Sequence, residues 1–224
     1  DNAQGILSSP DIDGGLIGEP LRFRSEMFSG TIVRDVGEAG WRASHANGGG
    51  AVYEMASHAI DLIGYFFGAP DRVGGTSLSK VYSKNVEDIV SSSLFYDNGL
   101  AGTLYVNWSD ASYRKPTNKF EIFGKAGKIQ VDQHGMKVFL SEASEAHGLK
   151  QGWNQIYITD VFSSVPFYVR GIEYTAQLFD FIDAVRARQA GEAVPVRCTF
   201  ADATADLRVM EQLFADDAAR VAGD

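Results

Sequence analysis

The sequence is short of cysteine, short of positive charge, and without a long apolar run, and each shortage closes off a class of protein. One cysteine, Cys198, cannot make an internal disulfide framework and fits a reducing compartment. It sits in PVRCTF with no base beside it, so it reads as a small buried apolar residue rather than a nucleophile. No apolar stretch approaches the ~18 residues that would span a bilayer, and no signal peptide pattern is visible. Lys and Arg number 20 against 29 Asp and Glu, a net charge of −9 that argues against nucleic acid or an anionic membrane as partner. The chain has neither an internal repeat nor a low-complexity linker after Gly18.

A complete dinucleotide fingerprint is also missing. That fingerprint needs a buried strand followed by G-x-G-x-x-G at a helix start. Gly48 and Gly50 supply its first half, but Tyr53 stands where the third glycine belongs, and the preceding WRASHAN is no buried strand. No Walker-type G-x-x-x-x-G-K-[ST] is present. The chain is therefore not expected to bind a nicotinamide cofactor unaided.

What remains is a clear order of elements. Residues 1–17 lack periodicity and read as a tail or linker from a missing N-terminal region, leaving one domain over 18–224. Leu21–Phe28 alternates apolar and polar residues as a half-buried strand does. After the polar loop VGEAGWRASHAN, residues Ala51–Phe67 carry Val52, Met55, Ala59, Ile63 and Phe66 on one helical side, and GAP ends the helix. VEDIVSSSLFY and LAGTLYVNW flank Asp97-Asn98-Gly99, a strong hairpin signal. KFEIFGKAGKIQVD repeats that plan around Lys125-Ala126-Gly127, and GMKVFLS and QIYITDV add two strands. Two amphipathic helices close the chain: one should turn Leu178, Phe181, Ile182 and Val185 inward, the other Leu207, Met210, Leu213 and Phe214. A meander of strands followed by helices predicts an α+β fold, an open, mostly antiparallel (mixed) sheet with helices packed on one face. The other face is expected to be covered in a homo-oligomer, a dimer or tetramer.

The residues with chemical potential cluster in GGGAVYEMASHAID. Its glycines read either as a turn feeding a helix start or as bare backbone that lets a ligand approach free N–H groups. Glu54, His58 and Asp61 are spaced i, i+4, i+7 and share one helix face with Tyr65. The stripe is a solvated polar edge, or a general acid/base His58 oriented by a carboxylate, or a metal set. The metal reading lacks the two or three His or Cys ligands zinc wants unless His45 folds back, and no metal is expected.

The same segment, with its neighbours, resembles the Gfo/Idh/MocA oxidoreductases, whose second domain carries G-G-G-x-L-x-D-x-G-x-H-x-x-D. LIGEPLRFRSEMF, NVEDIVSSSLFYDNGLAGTL, FEIFGKAGKIQVD and EYTAQLFDFIDAVRARQAGEAVPV resemble successive elements of that domain, over residues 16–220. The resemblance implies a two-domain enzyme in which a Rossmann domain binds NAD or NADP and supplies a lysine. The second domain supplies the substrate wall and the acid–histidine pair. Hydride passes between the nicotinamide and a hydroxyl-bearing carbon of a sugar, inositol or related polyol. By position, His58 matches the family histidine, the proton acceptor, and Glu54 takes the place of the family aspartate. Gly49 and Gly50 fall where the cofactor passes, and Asp61 matches a structural aspartate. Two departures stand out: Glu54 is one methylene longer than aspartate, and Ala56 replaces the motif's glycine.

Other candidate substrate contacts are Arg42 beside Trp41, then Trp108, Tyr113 and Arg114 after the hairpin, then Tyr168 and Arg170 at the entry to the long helix. His134 and His147, in turn-like contexts, read as surface residues. A non-catalytic, sheet-mediated binding module and a cofactor-assisted glycoside hydrolase of the same family stay open as alternatives. Cytoplasmic residence is the default expectation.

Overall fold

The computed structural model describes residues 15–30, 40–157, 160, 172–193 and 199–223. The readings made for Cys198, Tyr168 and Arg170 fall outside them. Eight strands form one sheet: β1 (Pro20–Phe28), β2 (Arg72–Ser79), β3 (Ile89–Phe95), β4 (Ala101–Asn107), β5 (Thr117–Gly124), β6 (Gly127–Asp132), β7 (Gly135–Leu140) and β8 (Gly152–Tyr157). Their spatial order is β2-β3-β4-β1-β5-β6-β7-β8. Only the central β1–β4 pair is parallel, and all other neighbours run antiparallel. The helices are α1 (Ser57–Phe67), preceded by a π turn over Val52–Ala56, then α2 (Ile172–Gln189) and α3 (Phe200–Gly223). This is the α+β architecture the sequence predicts.

Alternation along the strands divides the sheet into two faces. Phe23, Ser25 and Met27 of β1 are buried, as are Val90, Ser92 and Leu94 of β3 and Phe120 and Ile122 of β5. These side chains meet the buried side of the π turn and α1, which is Val52, Met55, Ala59, Ile63 and Phe66, as its periodicity requires. An aromatic knot lies beneath α1: Phe23 stacks on Phe67 at 4.9 Å and on Phe120 at 6.0 Å between ring centres. Gly102, beside Phe23 across the parallel pair, leaves room for that ring; a Cβ there would sit 2.3 Å from it. Ile17 is fully buried against the β5–β6 turn, where its carbonyl accepts the Ala126 N–H at 2.8 Å.

The turns follow their residues. Gly99, at φ +90°, closes the β3–β4 hairpin, and Asn98 Oδ1 accepts the Leu100 N–H at 3.0 Å. Strand β2 has no counterpart in the sequence reading. Its RVGGTSLS is poor in strand formers, and the pairing with β3 slips between Gly74 and Ser77. Tertiary contacts supply what propensity lacks. Asp216 and Asp217 of α3 accept the Thr76 and Leu78 N–H groups at 2.7 and 3.1 Å, and Arg220 Nε donates to the Thr76 carbonyl at 3.0 Å. A helix thus satisfies the free backbone groups of an edge strand and closes it to further pairing.

The two long helices depart from the expected inward faces. In α2, Leu178, Phe181 and Val185 are exposed and only Ile182 is half-buried. The helix turns another side inward, with Thr175 fully buried and Ile182 partly so. In α3, Met210 and Leu213 are buried and Phe214 packs against the core, while Leu207 stays exposed.

Candidate functional site

The glycine run ends on a helix start that is not a regular α-helix. From Val52 to Ala56 the backbone forms a π turn, with the Ser57 N–H reaching back five residues to the Val52 carbonyl. Ser57 Oγ donates to the Tyr53 carbonyl at 2.7 Å and so occupies an acceptor beside the widened turn. Glu54 lies inside that turn, whereas His58 and Asp61 follow in the α-helical part. The i, i+4 relation between Glu54 and His58 is therefore not that of a uniform α-helix, which was the basis of the sequence expectation.

Glu54 is held by Arg42. The guanidinium Nε donates to Oε1 at 2.8 Å, and the Arg42 head lies 4.5 Å from the centre of the Trp41 ring. Arg42 belongs to the first of two successive single-turn 3-10 helices, Trp41–Ala43 and His45–Asn47, neither with a buried residue. His58 is exposed one turn along from Glu54, and Asp61 is exposed beyond it. Partial burial raises the Asp61 carboxyl above its ordinary range, with His58 opposing the rise and Asp202 of α3 adding to it. Asp206, facing α1 near Gly64, is pushed up to about 6 by burial and by the neighbouring Asp61 and Asp202 charges. Beyond His58, Asp61 on α1 and Asp206 on α3 are thus both harder to ionise than a free carboxyl.

The glycines themselves are turned onto the protein. A Cβ on Gly49 would lie 2.3 Å from the Arg42 carbonyl oxygen, and one on Gly50 would lie 2.4 Å from Glu87 Oε1. Their N–H groups are donated to the Ser44 and Arg42 carbonyls at 2.9 and 3.1 Å. The Gly49 and Gly50 N–H groups are thus spent on the preceding turn and are not free donors for an anion.

Glu87 is the residue that sequence reasoning missed. It is 2% exposed, and burial raises its carboxyl above the usual range. Oε1 accepts the Val52 N–H at 2.8 Å, its own carbonyl accepts the Ala51 N–H at 3.0 Å, and Oε2 lies 3.0 Å from His45 Nε2. His45 does fold back, but onto Glu87 and not onto the acid–histidine stripe. The only signal in the sequence was two consecutive acids, Glu87-Asp88, opening an apolar strand, where charges bound for burial must find partners. Asp88 finds its own in the Val81, Tyr82 and Ser83 N–H groups at 2.8, 2.7 and 3.0 Å and in the Ser109 hydroxyl at 2.8 Å.

The remaining candidates scatter. Trp108 is 1% exposed and packs in the core, so it offers no ring face to a ligand. Tyr113 stacks on Phe28 at 4.5 Å and accepts a hydrogen bond from Lys119 Nζ at 2.8 Å, which places it at the open face of the sheet. Arg114 is exposed in the same loop. A groove of about 570 Å3 also lies on that open face, lined by Arg24, Glu26, Lys119, Glu121, Lys137 and Tyr157 among others. Exposed Phe123, Phe139 and Trp153 border this charge-paired surface.

Residues 11–130 match the GFO/IDH/MocA C-terminal domain. Among curated proteins none matches the chain. Among solved structures, levoglucosan dehydrogenase in complex with NADH and levoglucosan superposes with a TM-score of 0.75 at 21% identity, over 97% of this chain and 62% of that one. An NAD-binding oxidoreductase from Klebsiella pneumoniae gives 0.77 at 19% identity, over 98% and 63%. An oxidoreductase from Agrobacterium radiobacter, in complex with NAD+, L-tartaric acid and magnesium, gives 0.69 at 17% identity, over 97% and 59%. At these identities the likeness establishes the fold, and the chain spans about three-fifths of the length of these structures.

Proposed function

The chain belongs to the Gfo/Idh/MocA family, as its C-terminal domain, and from that premise we propose that it is the substrate-binding and oligomerisation domain of an NAD(P)-dependent oxidoreductase acting on a hydroxyl of a sugar, inositol or related polyol. The observation that carries this reading is the exposed His58, one turn after a Glu54 that Arg42 holds in place. NAD or NADP, gripped by residues outside this chain, supplies the hydride acceptor when bound. The chain's own part is the proton: an imidazole nitrogen of His58 takes it from the substrate hydroxyl as the carbon is oxidised to a carbonyl. Arg42 and Glu54 present donor and acceptor groups that orient neighbouring hydroxyls, and Trp41, exposed beside them, offers a ring face to a pyranose. The crystallised relative that holds NADH and levoglucosan supports this assignment of cofactor and substrate class. Gly49 and Gly50, at the start of the helix that carries His58, are assigned to the cofactor side of the site. A second copy of the chain covers the open sheet face, where exposed aromatics alternate with paired charges.

The test is turnover by the complete protein that carries this domain, measured by nicotinamide absorbance with levoglucosan and a panel of sugars and inositols. His58→Ala is expected to lower kcat by about 100-fold or more while leaving the unfolding transition in place. Turnover within a few-fold of the parent would remove His58 from the proton-accepting role.

A further inference from the structure

The turn that presents Arg42 to Glu54 buries no apolar side chain of its own among the described residues. Neither of the two 3-10 helices between Trp41 and Asn47 buries a residue, and Trp41 itself is exposed. A segment of that kind opens readily unless polar ties hold it. Among the described residues, two such ties run from its side chains. One is the Arg42–Glu54 pair at 2.8 Å. The other runs from His45 Nε2 to Glu87 Oε2 at 3.0 Å, and only the second ends on a buried group.

Glu87 is also fixed to the helix start. Its side chain and its main-chain carbonyl take the N–H groups of Val52 and Ala51, two donors that a helix N-terminus leaves without intrahelical partners. The contacts close a circuit: Arg42 to Glu54, along the π turn to Val52, to Glu87, to His45, and back along the turn to Arg42. The imidazole of His45 is steadied further by the Phe214 ring, edge-on at 5.6 Å, which also leans on Tyr53 at 5.4 Å.

We propose that Glu87 is a positioning residue for the Glu54–His58 helix: through His45 it fixes the 41–47 turn against the π turn, and so sets where Arg42 holds Glu54. The functional weight of this role rests on the reading of Glu54 and His58 given above, but its structural content does not.

The experiment is residue-resolved amide hydrogen exchange on the chain itself. His45 is the arm to cut, because its side chain is 40% exposed and its loss leaves the Glu87–Val52 bond intact. In His45→Ala, the amides of residues 42–50 should exchange about tenfold faster, the effect of losing the close histidine–carboxylate contact that ties the turn to a buried group. Those of 59–67 should be unchanged. His45→Gln, whose amide nitrogen reaches the same oxygen, should restore protection. Unchanged exchange over 42–50 in His45→Ala would overturn the proposal. So would a rise spread evenly over the domain, which would mark the pair as general stabilisation. Because no turnover is measured, a negative result here is separable from a negative result with His58→Ala.

Discussion

Gly50 is the position where a single added carbon should do most damage for a known reason. Its φ of +104° is one that a Cβ makes costly, and the methyl of an alanine would lie 2.4 Å from Glu87 Oε1. Forcing a non-glycine residue into such a region costs about 1–3 kcal/mol. Displacing the buried carboxylate from the Val52 N–H costs about 1.5–3 kcal/mol more, the penalty of a charged hydrogen bond left unmade. The Glu87 side chain relieves part of this by turning, and alanine regains a little by stiffening the unfolded chain. A net loss of about 3 kcal/mol is expected for Gly50→Ala, which lowers Tm by about 6–12 °C in a domain of this size. Gly48→Ala is the control. Gly48 also has a positive φ, +77°, but nothing lies within 4 Å of its missing Cβ. Only the backbone term applies there, about 1–2 kcal/mol. Thermal unfolding of the two variants side by side isolates the contribution of Glu87. If Gly50→Ala proved no more destabilising than Gly48→Ala, the carboxylate would not be what the glycine accommodates.

Two further outcomes follow from other parts of the fold. The carboxyl of Asp206 is pushed up to about 6, so the folded state holds a proton that the unfolded state, near 3.8, has already released. Stability from this group is fully present below 3.8 and is lost as pH rises through about 6. Asp206→Asn should therefore stabilise the protein at pH 8, by about 1 kcal/mol once solvent screening of a half-exposed group is allowed for. The gain should vanish in urea titrations run near pH 4; an equal gain at both pH values would refute the ionisation argument. At Gly102, an alanine Cβ would meet the Phe23 ring at 2.3 Å and press it into Phe67 and Phe120. Overpacking of this kind should cost about 1–3 kcal/mol in urea unfolding, and a change near zero would show that the aromatic knot yields freely.

Much of this molecule was legible in its residues, and for local reasons. The buried stripe of Val52, Met55, Ala59, Ile63 and Phe66, the Asn98-Gly99 turn and the alternation of β1 are set by side-chain spacing and by the few residues that accept a positive φ. Those are properties a short window carries with it. The acid–histidine pair was legible in the same way, since its residues lie within five positions of one another.

What the tertiary structure decided are the contacts that close over distance. RVGGTSLS becomes a strand because the carboxylates of α3, about 140 residues later, take its free N–H groups. The helix over Ala51–Phe67 opens with a π turn whose first donors end on Glu87, and Trp108 is a core residue because the sheet and Asp88 enclose it. The apolar stripe of α2 had every local mark of an inward face and still points outward. Periodicity states what a segment needs to bury or to pair; which surface receives it depends on residues far along the chain, and that is settled only when the chain is folded.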